Sequence, residues 1–488
     1  MNKHIGKKTM KRNPLAHLGA LTAAVLLAGC SMAPTYERPA APVPQYFPNN
    51  PAQIAGQPLT AGIAWQDYFT DPRLKRLIGT ALENNRDLRV AVLNIQTAQA
   101  QFRVTRSAQV PNLNLNAGGE RQRPSLLGNT VSESDYVNVG IPAWELDFFG
   151  RIQSLKDAAL SQYLSTEESR KATQISLVAA VAQGWLAVIA DEESMEITRQ
   201  TLATREEGLK LSRLRFDNGV ISEIDLRLSE SLAENARATY AQQQRLRMQD
   251  ENALALLLGT PVPPETVKGG LGALDAVSPM ADVPAGLPSE LLEQRPDIRA
   301  AEQNLLAANA NIGAARANFF PRITLTATYG TASNELSGLF KSGSEAWSFA
   351  PSLVLPIFDY GANSARLDAA WANRDIAVAQ YEKSIQTAFR EVADALAGRA
   401  TLGDQLDALR KTAAAEEARF RLSDLRYRNG VANALDLQDA QRSLFTAQLA
   451  ATQTRLSQLQ NQVLLYKALG GGWSSRDDAA ASQAQASR

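Results

Sequence analysis

The residue types that carry most enzymatic chemistry are nearly missing from this chain. Its only histidines are His4 and His17, and its only cysteine is Cys30. Beyond residue 30 there is neither imidazole nor thiol, which excludes Ser-His-Asp and Cys-His nucleophile systems, Cys/His zinc sites and structural disulfides together. No G-x-x-x-x-G-K-[ST] loop occurs, and no G-x-G-x-x-G opens a helix. An enzyme built here would depend on carboxylate, Lys or Tyr alone, so the sequence reads as a non-enzyme with no catalytic or metal-binding residue. What remains is charge at helical spacing. Leu435, Asp439 and Arg442 stand at i, i+4 and i+7, rotated about 200° from a packing stripe of Leu437, Ala440, Leu444 and Ala447. Turned away from the seam, that face is either a solvated surface with an ordinary Asp439–Arg442 pair or, in a barrel of helices, part of a lumen.

The elements that must position this face follow from the prolines. Of 22, eight lie between Pro34 and Pro72 and six between Pro261 and Pro288; none occurs from Ala143 to Thr260 or after Pro356. Proline inside a helix costs about 3 kcal/mol, so the two proline-free tracts can hold long helices. Tyr163–Leu214 and Asp368–Leu425 run with few breakers. About 65 helical residues would extend on the order of 100 Å. Each tract contains one stop. Asn218-Gly219 and Asn429-Gly430 place Gly for a left-handed C′ position, and Ser222 and Asn433 then read as N-caps with Asp225 and Asp436 at N3. Helix-stop chemistry is a sufficient account of these residues.

The chain repeats itself. Positions 85–111 align with 295–321 at an offset of 210, sharing Asp87/Asp297, Arg89/Arg299, Asn94/Asn304, Arg106/Arg316 and Pro111/Pro321 among others. At an offset of 211, Arg215–Val220 (RFDNGV) matches Arg426–Val431 (RYRNGV), and Leu258-Gly259 matches Leu469-Gly470. Two structural halves of about 210 residues are implied. Each half holds two segments of period two. Leu113, Leu115 and Ala117 alternate with asparagines; Val137, Val139, Ile141 and Ala143 share one parity. In the second half, Ile323 to Tyr329 alternate with Arg322 and three threonines, and Trp347, Phe349, Leu353, Leu355 and Ile357 share a parity. One apolar and one polar face at roughly ten residues is the pattern of a membrane β-strand. Phe319, Phe320, Trp347, Phe349, Trp144, Phe148 and Phe149 gather at the strand ends as interfacial aromatics would, and 123–135 and 330–345 read as Gly/Ser-rich loops. A soluble sandwich is the alternative. Four strands close no barrel and open edges are not tolerated in lipid, so membrane strands require two, three or four copies of the chain.

Charge is balanced, 50 Lys+Arg against 50 Asp+Glu. The first twelve residues hold five of the bases and no acid, leaving 45 against 50 for the rest. That argues against nucleic acid as a partner. A basic start, an apolar run Leu15–Ala28 and then Gly29-Cys30 read as a signal peptide. Leu27-Ala28-Gly29-Cys30 resembles a bacterial lipobox, with Cys30 as the acylated mature N-terminus, and Ser31 resembles an outer-membrane address.

Leu287–Leu305 (LPSELLEQRPDIRAAEQNL), Ala307–Arg316 (AANANIGAAR), Leu435–Gln448 (LDLQDAQRSLFTAQ) and Tyr466–Trp473 (YKALGGGW) carry a closer likeness. Over residues 15 to 473 the chain resembles the OprM-like outer-membrane factor lipoproteins of tripartite multidrug efflux pumps, in the TolC superfamily. The resemblance implies a mainly α fold with transmembrane β: a long-helix α-barrel tunnel continuous with a 12-stranded β-barrel of a homotrimer, four strands per chain, with a two-fold internal repeat. It divides the chain into a signal peptide (1–29), a Pro-rich equatorial segment (30–72), a first repeat (73–259), an equatorial linker (260–290), a second repeat (291–473) and a disordered tail (474–488). It implies a passive outer-membrane channel for drugs and toxic compounds, no cofactor beyond the N-acyl and S-diacylglycerol lipid on Cys30, and as partners a periplasmic membrane-fusion adaptor, an inner-membrane RND transporter and outer-membrane lipid. Protein secretion or metal export by the same architecture, and a non-conducting periplasm-spanning lipoprotein, are the alternatives. Residue by residue, Leu435 and Asp439 match a leucine and an aspartate constriction at the periplasmic aperture, with Arg442 beside them and three Asp439 carboxylates forming an acidic ring. Asp436 departs from the uncharged residue usual there, which leaves a second acidic ring or a different lock open. The helix tips Arg215, Asn218, Gly219, Val220, Arg426, Asn429, Gly430 and Val431 match adaptor contacts.

Overall fold

Free of proline and rich in alanine, leucine and glutamine, the two long tracts form single helices of equal length. In the computed structural model, which describes residues 32–48, 63–123, 131–278, 280–281 and 294–473, they are α4 (Arg151–Asp217) and α7 (Ala362–Arg428), 67 residues each. Both begin before, and end after, the breaker-free cores expected from sequence. Ahead of α4 come α1 (Trp65–Tyr68), α2 (Pro72–Asn84) and α3 (Arg86–Ser107), then strands β1 (Asn114–Gln122) and β2 (Ser132–Leu146). After α4 come α5 (Glu223–Leu258), α6 (Pro296–Ala317), β3 (Arg322–Ser333) and β4 (Glu345–Val354); α8 (Ala434–Ala468) follows α7. The signal segment, Cys30 and the tail lie outside the described residues.

The repeat is visible in the element bounds. The 22-residue helices α3 and α6 lie 210 positions apart, and α4 and α7 lie 211 apart. Equivalent residues do equivalent work: Asn85 donates to the Leu257 carbonyl at 2.9 Å, and Arg295 donates to the Ala468 carbonyl at 3.0 Å. Each thereby satisfies an orphan carbonyl in the last turn of a helix. Gly259, at φ +69, closes α5 where a Cβ would lie 2.5 Å from the Asn84 carbonyl oxygen, so position and conformation both demand glycine.

The chain forms two compact units. One comprises 1–39, 96–165 and 302–380; the other comprises 40–95, 166–301 and 381–488. In the second unit, Trp185, Leu74, Leu77, Ile78, Leu254 and Leu258 are fully buried, and Tyr68 stacks on Tyr466 at 3.8 Å. Trp185 Nε1 donates to the Thr266 carbonyl at 2.8 Å, fastening the proline-rich linker to this core. The apolar stretch of α4 around Trp185 is therefore core, as its burial shows.

The first unit holds one antiparallel sheet in the order β1-β2-β3-β4. Leu115 opposes Val139, Val139 opposes Tyr329, and Tyr329 opposes Trp347. Opposed residues point to one face, so the apolar side chains of all four strands share a side while Asn116, Asn138, Thr328 and Ser348 share the other. No second sheet covers either face: Leu115 is 74% exposed and Trp347 72%. The sandwich alternative is thereby excluded among the described residues.

Three expectations are corrected. Ala143 does not continue the apolar parity of β2, because a bulge between Ile141 and Trp144 puts Ala143 at φ +42 and swings Trp144 and Leu146 onto that face instead. The loops are shorter than the spans 123–135 and 330–345, since pairing persists to Gln122↔Ser132 and Thr331↔Glu345. Leu113, Leu355 and Ile357 lie outside the strands.

Candidate functional site

The two helix stops are built alike. At the end of α4, Val220 N donates to the Arg215 carbonyl at 2.8 Å and Gly219 N to the Phe216 carbonyl at 2.8 Å, with Gly219 at φ +70. At the end of α7, Val431 N donates to the Arg426 carbonyl at 2.9 Å and Gly430 N to the Tyr427 carbonyl at 3.1 Å, with Gly430 at φ +71. Both are Schellman closures. Asn218 and Asn429 donate back to the carbonyls of Leu214 and Leu425 at 2.6 and 2.7 Å. The next helix starts as the spacing implied. Ser222 and Asp225 form a reciprocal capping box on α5, and the Asn433 side chain accepts Asp436 N at 2.9 Å on α8. Exposed Asp436 stands in the first turn of α8, where the helix N-terminus favours a carboxylate. The Arg215 guanidinium lies 4.8 Å from the Tyr427 ring centroid, so the tips are joined by a cation–π contact. Val220 and Val431 remain 68% and 69% exposed.

One turn into α8 the face picked out by spacing appears as expected. Ala440 and Ala447 are buried on one side, while Leu435 is 59% exposed on the other. Gln438 donates to Ser229 Oγ on α5 at 3.1 Å. Asp439 pairs with Arg442, as i, i+3 geometry allows. The structure adds a residue that the sequence reading missed. Arg419, on α7, reaches across the hairpin to the same carboxylate and also pairs with Glu416 at 3.1 Å. Its position was recoverable by symmetry, since Arg419 and Asp439 are equidistant in sequence from Asn429, where the antiparallel pair of helices turns. The hydrogen bond from Arg419 holds the Asp439 carboxyl below its ordinary value.

This alters the electrostatics of the acidic ring expected from the resemblance. Asp439 is not a bare carboxylate but the shared acceptor of two guanidiniums. The arrangement ties α7 to α8 through charge, beside an exposed leucine. It is a polar latch next to an apolar lip.

The family model described as outer membrane efflux protein matches residues 77–260 and 287–471. The chain is 46% identical over 464 residues, 93% of its length and 95% of the relative's, to a probable efflux pump outer membrane protein, TtgC, of Pseudomonas putida KT2440. It is also 46% identical to the outer membrane protein OprJ of Pseudomonas aeruginosa PAO1, over 95% of this chain and 97% of that one. Among solved structures it is similar to the open state of the Neisseria gonorrhoeae MtrE outer membrane channel, with TM-score 0.82, 45% identity and coverage of 91% of this chain and 99% of that one.

Proposed function

The chain belongs to the outer membrane efflux protein family, and from that membership we propose that three copies form the outer-membrane conduit of a tripartite pump for drugs and other toxic compounds. The observation that carries this reading is the sheet, with one continuous apolar face, one polar face, and unpaired edges at β1 and β4. Edges of this kind are not stable in lipid unless β4 of one copy pairs with β1 of the next. Three copies then close twelve strands, with the polar face lining water and the apolar face meeting lipid. Native mass measurement of the purified protein should give three copies; a stable dimer or tetramer would overturn the twelve-strand count while leaving a pore possible. Conduction in planar bilayers separates the conduit from a non-conducting structural lipoprotein.

The Leu435 and Asp439 face is the resting aperture in this reading. Three leucines around an axis narrow a pore enough to dewet it, and the Arg419–Asp439–Arg442 latch holds the two helices together beside them. The tips 215–220 and 426–431 meet a periplasmic membrane-fusion adaptor, and an inner-membrane RND transporter drives export.

Acylation of Cys30 fits the course of the segment that follows it. Arg316 donates to the Met32 carbonyl at 3.1 Å and Asn309 to the Pro34 carbonyl at 2.7 Å, while Arg38 grips Glu302 with two bonds. Residues 32–38 thus run antiparallel to α6, with Met32 at its C-terminal end, a few residues before β3 begins, and a lipid two residues before Met32 would lie near the strands. Cys30→Ala should lose labelled palmitate yet still assemble when another signal peptide exports it, because one lipidated residue adds little to twelve embedded strands. Failure to assemble would show that the lipid steers insertion.

A further inference from the structure

In the unit that holds the sheet, a cavity of about 410 Å³ lies where strands give way to helices. Its walls are the stretches leading into α4 and α7, with 317–322 between them. Of its strand residues, register puts Glu145, Arg322 and Val354 on the polar face, since Glu145 opposes Thr324 and Arg322 opposes Val354, and Leu146, opposite Ile323, on the apolar face. The cavity therefore opens chiefly on the water side of the sheet. That side is the lumen if the channel reading above holds, and to this extent the inference rests on it.

The charges lining the cavity are unequally satisfied. Glu145 accepts two bonds from Arg151, at 2.8 and 2.7 Å, and pairs with Arg322 at 2.6 Å, so two guanidiniums share one carboxylate. Asp147 and Asp359 accept the backbone N–H of Gln153 and Asn363, each at 2.8 Å, and so cap the first turns of α4 and α7. Arg366 donates to the amide oxygen of Asn363 at 3.0 Å, and among the described residues no carboxylate pairs with it. The Arg322 side chain remains 58% exposed. Beside these groups Phe149 stacks on Phe320 at 4.8 Å, giving the cavity an aromatic wall. A guanidinium fork matches a carboxylate or sulfonate, and aromatic walls favour a ring system. The volume falls within the range of about 300–1,000 Å³ that holds drug-sized ligands.

We propose that this cavity is a transient binding site for amphipathic aromatic anions passing through the lumen, with Phe149 and Phe320 against the ring and Arg366 and Arg322 on the anionic group. The full-length protein in phosphatidylcholine nanodiscs should bind 1-naphthalenesulfonate in a calorimetric titration. Arg366→Gln and Phe320→Ala should each weaken binding about tenfold, the size of one charged hydrogen bond or one aromatic contact. Arg366→Lys should recover part of the loss, and neutral 1-naphthalenemethanol should bind about tenfold more weakly than the sulfonate. Native mass confirms that each variant assembles as the parent does. Equal affinity across parent and variants, or for the neutral alcohol, overturns the proposal. Competitive displacement by added phosphatidylglycerol also overturns it, since the cavity is then a lipid-headgroup site. Conductance is measured on the same preparation: binding without conduction removes the lumenal role, whereas conduction without binding removes the site alone.

Discussion

The hairpin of α4 and α5 and the hairpin of α7 and α8 share their stop and start chemistry but not their charges. Shifted by 211 positions, Leu435 corresponds to Ile224, an exposed aliphatic residue in both halves. Arg419, Asp439 and Arg442 correspond to Gly208, Leu228 and Ser231, so the latch is not repeated at its own positions; ion pairs that cross the first hairpin, Arg213–Glu230 at 3.3 Å and Arg237–Glu206 at 2.7 Å, stand elsewhere. The packing differs in the opposite sense. The first hairpin has its own small core of Leu209, Leu226 and Ala233, a Ser212–Ser229 hydroxyl bond of 3.0 Å, and Arg205 donating to the Leu232 carbonyl at 3.1 Å. In the second, Ala440 and Ala447 are the only buried residues between Gly430 and Ala450. Duplication reproduced what ends a helix; it did not reproduce what holds the second hairpin to itself. A hairpin with so little buried packing is easier to open, which supports placing the proposed aperture in the second half.

The largest effect should come from removing both lip and latch in that half. Leu435→Ala with Asp439→Ala should raise single-channel conductance several-fold and exceed either change alone, because the two act in series. Loss of Asp439 also leaves Arg442 without its carboxylate and Arg419 with Glu416 alone, so selectivity of the proposed channel should move toward anions. Ile224→Ala, the matching change in the first hairpin, should leave conductance at the parent's value. If Ile224→Ala opens the channel equally, the asymmetry between the hairpins means nothing for gating.

Arg419 tests the latch alone and should have an intermediate effect. Arg419→Ala should raise conductance less than the double change, and the exchange Arg419→Asp with Asp439→Arg should restore much of the closed state. Asp439 is held below its ordinary value of 3.8, first by the Arg419 hydrogen bond. The latch is therefore fully present above that pH and is lost as pH falls through the lowered value. Parent conductance should stay flat from neutral pH to about 3.8 and rise below it, whereas Asp439→Asn should show no such rise. A parent profile identical to that of Asp439→Asn would remove Asp439 from the gate.

The smallest effects should be the symmetric ones. Ser222→Ala and Asn433→Ala each remove an N-cap, and each should cost about 1 kcal/mol, read as similar small losses of thermal stability. Gly219→Ala and Gly430→Ala meet φ near +70 and should likewise match one another. Markedly unequal costs within either pair would contradict the view that the caps are inherited structure common to both halves.

Much of this molecule was legible as one-dimensional pattern. The prolines bounded the long helices, the period of two marked four strands, and the repeat placed Asn218-Gly219 and Asn429-Gly430 at equivalent turns. Ser222, Asn433, Asp225 and Asp436 took the roles that their spacing implied. These features depend on neighbours within four residues, where the geometry of a helix or strand is nearly invariant and residue type suffices to identify it.

The remainder depended on partners distant in sequence. Arg419 meets Asp439 only because two helices run antiparallel in one register. Arg316, Asn309 and Glu302 hold residues 32–38 along α6 from more than 260 positions away. The bulge after Ile141 overrides a regular alternation that looked complete in the sequence, and it decides which face carries Trp144. Local periodicity states which side chains share a face but not what that face meets. Pairing register and helix packing supply the second coordinate, and they brought Glu145, Arg322 and Arg366 around one cavity from three separate stretches of chain.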